Sequence, residues 1–406
     1  MENSNLLQSI ENLKSEFNND LICLGKKIKN GVVTDELSIV FFVNEKKPIQ
    51  NLSQSELIPT RINVNGTIMK TDVVEEVTLQ THPCPTEFDT NCIFNPVPNK
   101  SYIRPIQGGI SIRKTTDGIG TLGFLAKHTE TGALIGVTNL HVAMKTHFIA
   151  SGLCQTSPCT FDYNSLVEQI YQPGESSSYE TDFYNLGRVM YCHLLTTDSP
   201  SEIDCCLVGL KESVISNSES YKQYGLSFTT PPVFATTAEI DSILTNNIPL
   251  AASGRSTGPK EGSLCGLKAL FMNYTTRVNG YRKNNDGYIW SKRFVGQVAY
   301  TRINEDCPDP SIGGDSGSAV LGNFGGVWKV VGLNYAGGTL SNGIEIGVFN
   351  RIDRVASLMG IEAWDGSSLN FIDLNNVETY QVQGFSPDLT VSVGGETYWQ
   401  AGMINS

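Results

Sequence analysis

Hydrophobic and polar positions along this chain follow two periods, one helical and one extended. Leu6, Leu7, Ile10, Leu13 and Phe17 recur at helical spacing and predict an amphipathic opening helix over residues 5–17. Ile39-Val40-Phe41-Phe42-Val43 is an unbroken apolar run of strand length and predicts a buried strand. On either side of it, Asn30-Gly31 and Asn65-Gly66 each lie between apolar or β-branched segments. Such pairs predict tight hairpins, because a two-residue turn of this kind needs positive φ at both positions. Ser53-Gln54-Ser55-Glu56 has the reciprocal pattern of a capping box and predicts a short helix that stops before Pro59. These elements together predict a small α/β domain over residues 1–76.

The pattern then changes. Pro and Cys interrupt every period from about Thr81 to Pro105, which predicts a linker over 77–103. From Arg104 to about Gly360, short apolar runs alternate with Gly, Asn and Ser turns, the pattern of an antiparallel barrel. Residues 155–182 and 211–232 read as long loops between strands. The segment closes with Asn350 as an expected N-cap, Ile352, Val355, Ala356 and Met359 at helical spacing, and Gly360 beyond. An acidic extension, 361–406, holds six acidic residues and no Lys or Arg, and the alternation of Leu389, Val391 and Val393 predicts a strand or two. No internal repeat is visible.

Composition narrows the function classes. At 406 residues, 40% hydrophobic and 17% charged, the chain can bury a large core, and its 39 glycines favour a β-rich architecture. A formal net charge of −12 argues against nucleic acid or an anionic membrane surface as partner, and no apolar run approaches 18 residues. Met1-Glu2-Asn3-Ser4-Asn5-Leu6-Leu7 lacks the basic and apolar regions of a secretion signal. The ten cysteines are therefore expected as reduced thiols in a cytoplasmic setting. Neither His147 with Cys154 and Cys159 nor His82 with Cys84 and Cys92 has the paired spacing of a structural zinc site, so no metal or other cofactor is expected.

The chemistry concentrates in Gly313-Gly314-Asp315-Ser316-Gly317-Ser318. Acyl transfer needs an exposed hydroxyl and backbone N–H groups converging on one carbonyl oxygen, and a turn poor in Cβ atoms can aim both. A nucleophilic serine also needs a base and a group that orients the base. Among the five histidines, His141 follows the apolar run Ala133-Leu134-Ile135-Gly136-Val137-Thr138 and lies just past a strand end, with His147 as the competitor. For the orienting acid, Asp204 enters the apolar Cys205-Cys206-Leu207-Val208 run, with Asp182 and Asp198 as competitors. Adjacent Cys205 and Cys206 are expected on opposite faces of that strand as small core residues. Gly254-Arg255-Ser256-Thr257-Gly258 reads as a tight turn, with Arg255 buried against a carboxylate or in a simple loop.

The order His141, Asp204, Ser316, with separations of 63 and 112, resembles the chymotrypsin/trypsin-like serine proteases. More narrowly, the runs Thr138-Asn139-Leu140-His141-Val142 and Ile203-Asp204-Cys205-Cys206-Leu207-Val208 resemble those of stand-alone bacterial trypsin-like peptidases with a small N-terminal α/β domain. The resemblance covers residues 104–360 well, 20–76 loosely, and nothing beyond Gly360. It implies a mainly β fold: two antiparallel β-barrels with a C-terminal helix, preceded by the small α/β domain. It also implies Ser316 as nucleophile, His141 as general base then acid, Asp204 as orienter, and the N–H groups of Gly314 and Ser316 as an oxyanion hole. Asn334, Tyr335, Ala336 and Gly337 would form the strand against which substrate pairs and which lines the specificity pocket.

Two departures stand out. The acid that selects Lys or Arg six residues before the serine is replaced by Pro310, with Asp309 one step further away. The barrel begins mid-chain, so no freshly cut N-terminus is at hand for Asp315, which must find another partner. Control by conformation or an activating protein partner is therefore expected, and the expected substrate is a protein or peptide. An esterase-like hydrolase would need a Gly-x-Ser-x-Gly elbow, but position 318 is Ser and strand residues follow. A catalytically inert, protease-derived binding module is the other alternative, and it would require a distorted site.

Overall fold

Both Asn-Gly pairs turn as their chemistry requires: Asn30, Gly31, Asn65 and Gly66 have φ of 51°, 78°, 49° and 83°. They close hairpins between strands Ile22–Lys29 and Val32–Val43 and between strands Arg61–Val64 and Thr67–Glu75. Helix Asn3–Glu16 buries Leu6, Ile10 and Leu13 in the core that holds Ile22, Leu24, Ile39 and Phe41. The Ser53–Glu56 capping box is formed, on a single 3₁₀ turn, Gln54–Glu56. The computed structural model describes residues 3–81, 98–114, 118–144, 169–174, 183–193, 200–228, 230–281, 288–367, 370–371, 374, 389–393 and 396–401.

The two expected antiparallel β units are present. One is an eight-stranded sheet in which Phe124–His128, Leu134–Thr138, Cys206–Leu210, Asn185–Cys192, Gln169–Tyr171, Ser111–Lys114 and Ile119–Thr121 are successive neighbours. The other closes on itself. Leu250–Gly254, Ala319–Phe324, Val327–Thr339, Glu345–Arg351, Tyr288–Arg302 and Leu267–Tyr281 each pair antiparallel with the next, and Leu250 opposite Leu267 completes the ring. Closure removes the open edges a sheet would otherwise present.

The strands expected as a separate small domain continue this second sheet. Leu24 pairs with Met272 and Gly25 with Phe271, so Ile22–Lys29 hydrogen-bonds directly to Leu267–Tyr281. Glycine is needed at 25, where a Cβ would lie 2.6 Å from the Phe271 ring. Within the expected linker, strand Leu79–Thr81 and the 3₁₀ turn Pro98–Lys100 are formed, and residues 82–97 lie outside the described residues.

The C-terminal helix is Ile352–Met359, ended by Gly360 in the left-handed region at φ 61° and ψ 49°. Its N-cap position is Arg351, one residue beyond the expected Asn350. Asn350 lies inside strand Glu345–Arg351, and its side chain is engaged elsewhere. After the helix, Ile361–Ala363 pairs with Phe124–His128, so the chain leaving the second barrel returns to the first sheet. Strands Leu389–Val393 and Glu396–Ala401 form an antiparallel pair. The expected loop at 155–182 contains strand Gln169–Tyr171, while the described residues of 211–232 are irregular apart from the 3₁₀ turn Glu212–Val214 and a short bridge from Gln223 to Gly108.

The expectation of reduced thiols meets two disulfides, Cys192–Cys206 and Cys265–Cys307. The first follows from strand register, which sets Cys192 directly opposite Cys206. Cys205 and Cys206 do fall on opposite faces, one in each of the two hydrophobic cores, and Cys205 is a free, buried thiol. Among the described residues, no helix is long and apolar enough to cross a membrane.

Candidate active site

Strand Leu134–Thr138 ends beside Cys206–Leu210, where Thr138 is opposite Cys206. That register carries the residues just past one strand to those just before the other. His141, on the single helical turn Leu140–Ala143, thereby meets Asp204: its Nδ1 lies 2.6 Å from Asp204 Oδ2, and its backbone N–H donates to Oδ1 at 3.3 Å. Asp204 is fully buried and His141 is 8% exposed. A buried carboxylate needs fixed donors. Here the imidazole and one amide supply them, which orients the ring with Nε2 as its free nitrogen.

The backbone of Asp204 is fixed by two asparagines whose part in the site has no sequence signature. Asn139 donates from Nδ2 to the Asp204 carbonyl at 2.7 Å, and the Asp204 N–H donates to Asn350 Oδ1 at 3.0 Å. Asn350 Nδ2 in turn donates to Gln297 Oε1 at 2.8 Å. The surroundings are of low polarity: burial first, and then the Asp204 charge, pushes the Cys205 thiol well above its ordinary range. Nearby, burial depresses His193 to about 4 despite the opposing pull of Asp204.

Ser316 reaches this site across strand Ile119–Thr121. Its carbonyl accepts from Thr121 N–H at 2.9 Å. A Cβ on Gly120 would lie 2.5 Å from Val142 and 2.9 Å from the Ser316 carbonyl, so Gly120 separates the serine turn from the neighbour of His141 by no more than its own backbone. The Ser316 hydroxyl donates to the Tyr335 carbonyl at 3.4 Å, and His141 Nε2 has no hydrogen-bond partner among the described residues.

Glycine is required in the serine turn. Gly314 has φ 96° and Gly317 φ 93°; side chains there would meet Ser256 Oγ at 2.4 Å and the Thr121 carbonyl at 2.2 Å. The N–H groups of Asp315, Gly317 and Ser318 donate to Ile312, Asn334 and Asp315 carbonyls at 3.0, 2.8 and 3.0 Å. Those of Gly314 and Ser316 have no partner among the described residues. Peptide planarity sets their direction, because N–H and C=O of a trans unit point opposite ways. The Gly313 carbonyl accepts from Ser256 Oγ, and the Asp315 carbonyl from Ser318 N–H and Asn334 Nδ2. The N–H groups of Gly314 and Ser316 therefore face away from those donors, free to receive an oxygen anion.

Asp315 has found its partner inside the chain. It is 1% exposed; Oδ1 accepts from Ser256 and Thr257 N–H at 2.8 and 3.0 Å, and Oδ2 from the Thr257 hydroxyl at 2.8 Å and Ile312 N–H at 3.2 Å. Lys260, 2% exposed, sets its ammonium 3.8 Å from Oδ2 and donates to the Thr257 hydroxyl. Burial lowers the Lys260 pKa, opposed first by Asp315 and then by Asp309. The turn 254–258 grips Asp315 with its backbone and the Thr257 hydroxyl rather than through Arg255, the residue expected to meet a carboxylate; the Arg255 guanidinium donates to Ser256 Oγ and lies against Gly314.

The expected substrate strand is buried throughout: Asn334, Tyr335, Ala336 and Gly337 all lie below the surface. Asn334 Nδ2 donates to Ser311 Oγ at 2.9 Å, and Tyr300 donates to Asn334 Oδ1 at 2.9 Å and to the Pro310 carbonyl at 3.3 Å. Tyr335 packs its ring 4.7 Å from that of Phe294. Asp309 is taken by Arg302 at 2.5 Å. The competitors Asp182, Asp198 and His147, and the cysteines and histidine at 154, 159, 84, 92 and 82, lie outside the described residues. Among the described residues, no group of three or more His, Cys, Asp or Glu is arranged to hold a metal.

Among solved structures, the chain is similar to a glutamic-acid-specific serine protease that uses a novel histidine triad in substrate binding, at 18% identity over 64% of this chain and 100% of that one, TM-score 0.38. It is similar to Thermobifida fusca protease A at 16% identity over 64% and 98%, TM-score 0.34. It is also similar to Cellulomonas bogoriensis chymotrypsin at 12% identity over 64% and 98%, TM-score 0.34. No family model and no curated protein matches the chain. At such distance the chemistry has to rest on the side chains of this chain alone.

Proposed function

We propose that the chain is a serine endopeptidase that cleaves peptide bonds through an acyl-enzyme on Ser316. The observation that carries the reading is the buried His141–Asp204 pair, 2.6 Å apart, beside a serine turn whose Gly314 and Ser316 N–H groups are unclaimed. The Ser316 hydroxyl oxygen attacks the scissile carbonyl while its proton passes to His141 Nε2. Asp204 holds the resulting imidazolium. The tetrahedral oxyanion takes hydrogen bonds from Gly314 and Ser316 N–H, and one such donor is worth about 3 kcal/mol in the transition state. His141 then protonates the leaving amine, and a water repeats the sequence to release the acid.

Basic specificity has no support in this geometry. Pro310 occupies the position an acid would hold, and Asp309 is already paired with Arg302. Control by conformation belongs to the same reading, since Asp315 is held by Lys260 and needs no newly cut terminus.

One observation favours the inert binding module instead: the Ser316 hydroxyl addresses the Tyr335 carbonyl. A single staggered step of its χ1 turns it elsewhere at small cost, so the hydroxyl direction is a weak obstacle. Labelling of the full chain by a fluorophosphonate decides between the two. Stoichiometric labelling, lost in Ser316→Ala and His141→Ala, is expected; a wild-type protein that stays unlabelled is the inert module.

A further inference from the structure

Strand Val327–Thr339 is covered on its two edges to different lengths. Along one edge, Glu345–Arg351 accompanies it to the end, with Ala336 opposite Val348, Gly337 opposite Gly347 and Thr339 opposite Glu345. Along the other edge, Ala319–Phe324 reaches only to Ala319 opposite Leu333. The serine turn follows that edge for two residues more: Gly317 N–H donates to the Asn334 carbonyl, and the Ser316 hydroxyl to the Tyr335 carbonyl. Beyond Tyr335 the edge at 336–338 would be bare, immediately beside the nucleophile. A bare edge next to a reacting hydroxyl is where an extended peptide adds as a strand.

In this chain that edge is filled from within. Gln80 pairs antiparallel with Gly337, and the segment Leu79–Thr81 is held from behind by parallel pairing with Leu267–Tyr281, Leu79 opposite Val278 and Thr81 opposite Gly280. Leu79 is fully buried, and it packs so closely over Gly338 that a Cβ there would lie 3.1 Å from it. Because the pairing is antiparallel, the chain runs from Leu79 through Thr81 toward Tyr335, and so toward Ser316. It therefore has both the position and the direction of a peptide offered for cleavage.

We propose that Leu79–Thr81 is an intramolecular competitor for the peptide-binding edge, and that an extended peptide must displace it before Ser316 can act on it. This rests on the serine endopeptidase reading. A small acylating reagent needs no strand pairing, whereas an extended substrate does, so the two should respond differently to any change at 79–81.

The test uses the full chain, a fluorophosphonate, and a pool of acetyl-tetrapeptide aminocoumarin amides. Gln80→Pro removes a backbone donor of the segment and leaves Ser316, His141 and Asp204 untouched. It is expected to leave the rate of fluorophosphonate labelling unchanged and to raise kcat/KM for the tetrapeptide pool on the order of tenfold, mainly through KM, because a larger fraction of molecules offers a free edge. Leu79→Ala, which loosens the segment without touching its backbone, should give a smaller rise in the same direction. Equal tetrapeptide turnover in wild type and a folded Gln80→Pro overturns the proposal. If Gln80→Pro does not fold, Leu79→Ala decides it by the same criterion. Labelling without a rise defeats the competitor alone, whereas no labelling in any of the three proteins defeats the endopeptidase reading and the competitor with it.

Discussion

The two halves of the site are held by unlike means. On the second barrel, the serine turn is organised around one buried carboxylate, Asp315, which collects four hydrogen bonds and the Lys260 ammonium within a few residues of backbone. On the first sheet, the histidine and its acid hold each other by two hydrogen bonds, and the backbone of Asp204 is fixed by one contact on each side, from Asn139 and from Asn350, 65 and 146 positions away. The Asp315 carboxylate is over-determined, so loss of any one bond leaves others in place; the backbone N–H and carbonyl of Asp204 each depend on one asparagine. Stability and catalysis should accordingly respond to different residues.

The largest expected effect breaks the first half. Asp315→Ala leaves the Lys260 ammonium buried without its partner and should cost about 3–5 kcal/mol of unfolding free energy in urea titration. Adding Lys260→Met should recover part of that loss, since an apolar pair of similar volume costs less than one orphaned charge. Equal stability of the single and double variants would show that the ammonium contributes nothing to the turn.

A smaller effect on stability and a larger relative one on catalysis are expected at Asn350. Asn350→Ala leaves the Asp204 N–H and Gln297 Oε1 without their partner, which should cost about 1–3 kcal/mol. It should also lower kcat for tetrapeptide amides while KM holds, because Asp204 is the group displaced. A fall in stability with unchanged kcat would make Asn350 a purely structural residue.

The smallest effect is a pH dependence carried by the first sheet. His193 is depressed by burial to about 4, from an ordinary value of 6.5. Between those values the unfolded chain binds a proton that the folded chain refuses. The neutral form's stability is therefore complete above about pH 6.5 and is lost as pH falls toward 4. At about 1.4 kcal/mol per pH unit, the full interval sets an upper limit of about 3 kcal/mol, which solvent reaching the partly exposed residue lowers. His193→Gln should flatten that part of the curve of stability against pH, and an unchanged slope would assign it to other groups.

The same contrast explains what could be read from the chain and what could not. The serine turn, both Asn-Gly hairpins, the capping box and Gly360 are legible because their chemistry is local: special φ values and reciprocal caps occupy adjacent positions. His141 and Asp204 are legible as strand ends, since the apolar runs beside them mark those ends. Asn350 reads as a helix cap in the sequence, because only its place in strand Glu345–Arg351 turns its side chain toward Asp204, 146 positions away. Lys260 escaped for a related reason: nothing in its neighbourhood foretells that a turn will fold over Asp315. The Leu79–Thr81 strand lies where Pro and Cys break every period, and its pairing partners are about 200 and 260 residues further on.

Continuity of the N-terminal strands with the second barrel also sets an order of events during synthesis. Leu24 finds its neighbour only when Met272 has been made, about 250 residues later. Until then Ile22–Lys29 presents an unpaired edge, beside a strand with fully apolar Ile39-Val40-Phe41-Phe42. Pairings of such long range form slowly, and an open apolar edge is where nascent chains join one another. Assembly of the barrel must therefore wait on its last strands while its first ones are shielded, and the yield of folded protein should depend more on that interval than on the stability finally reached.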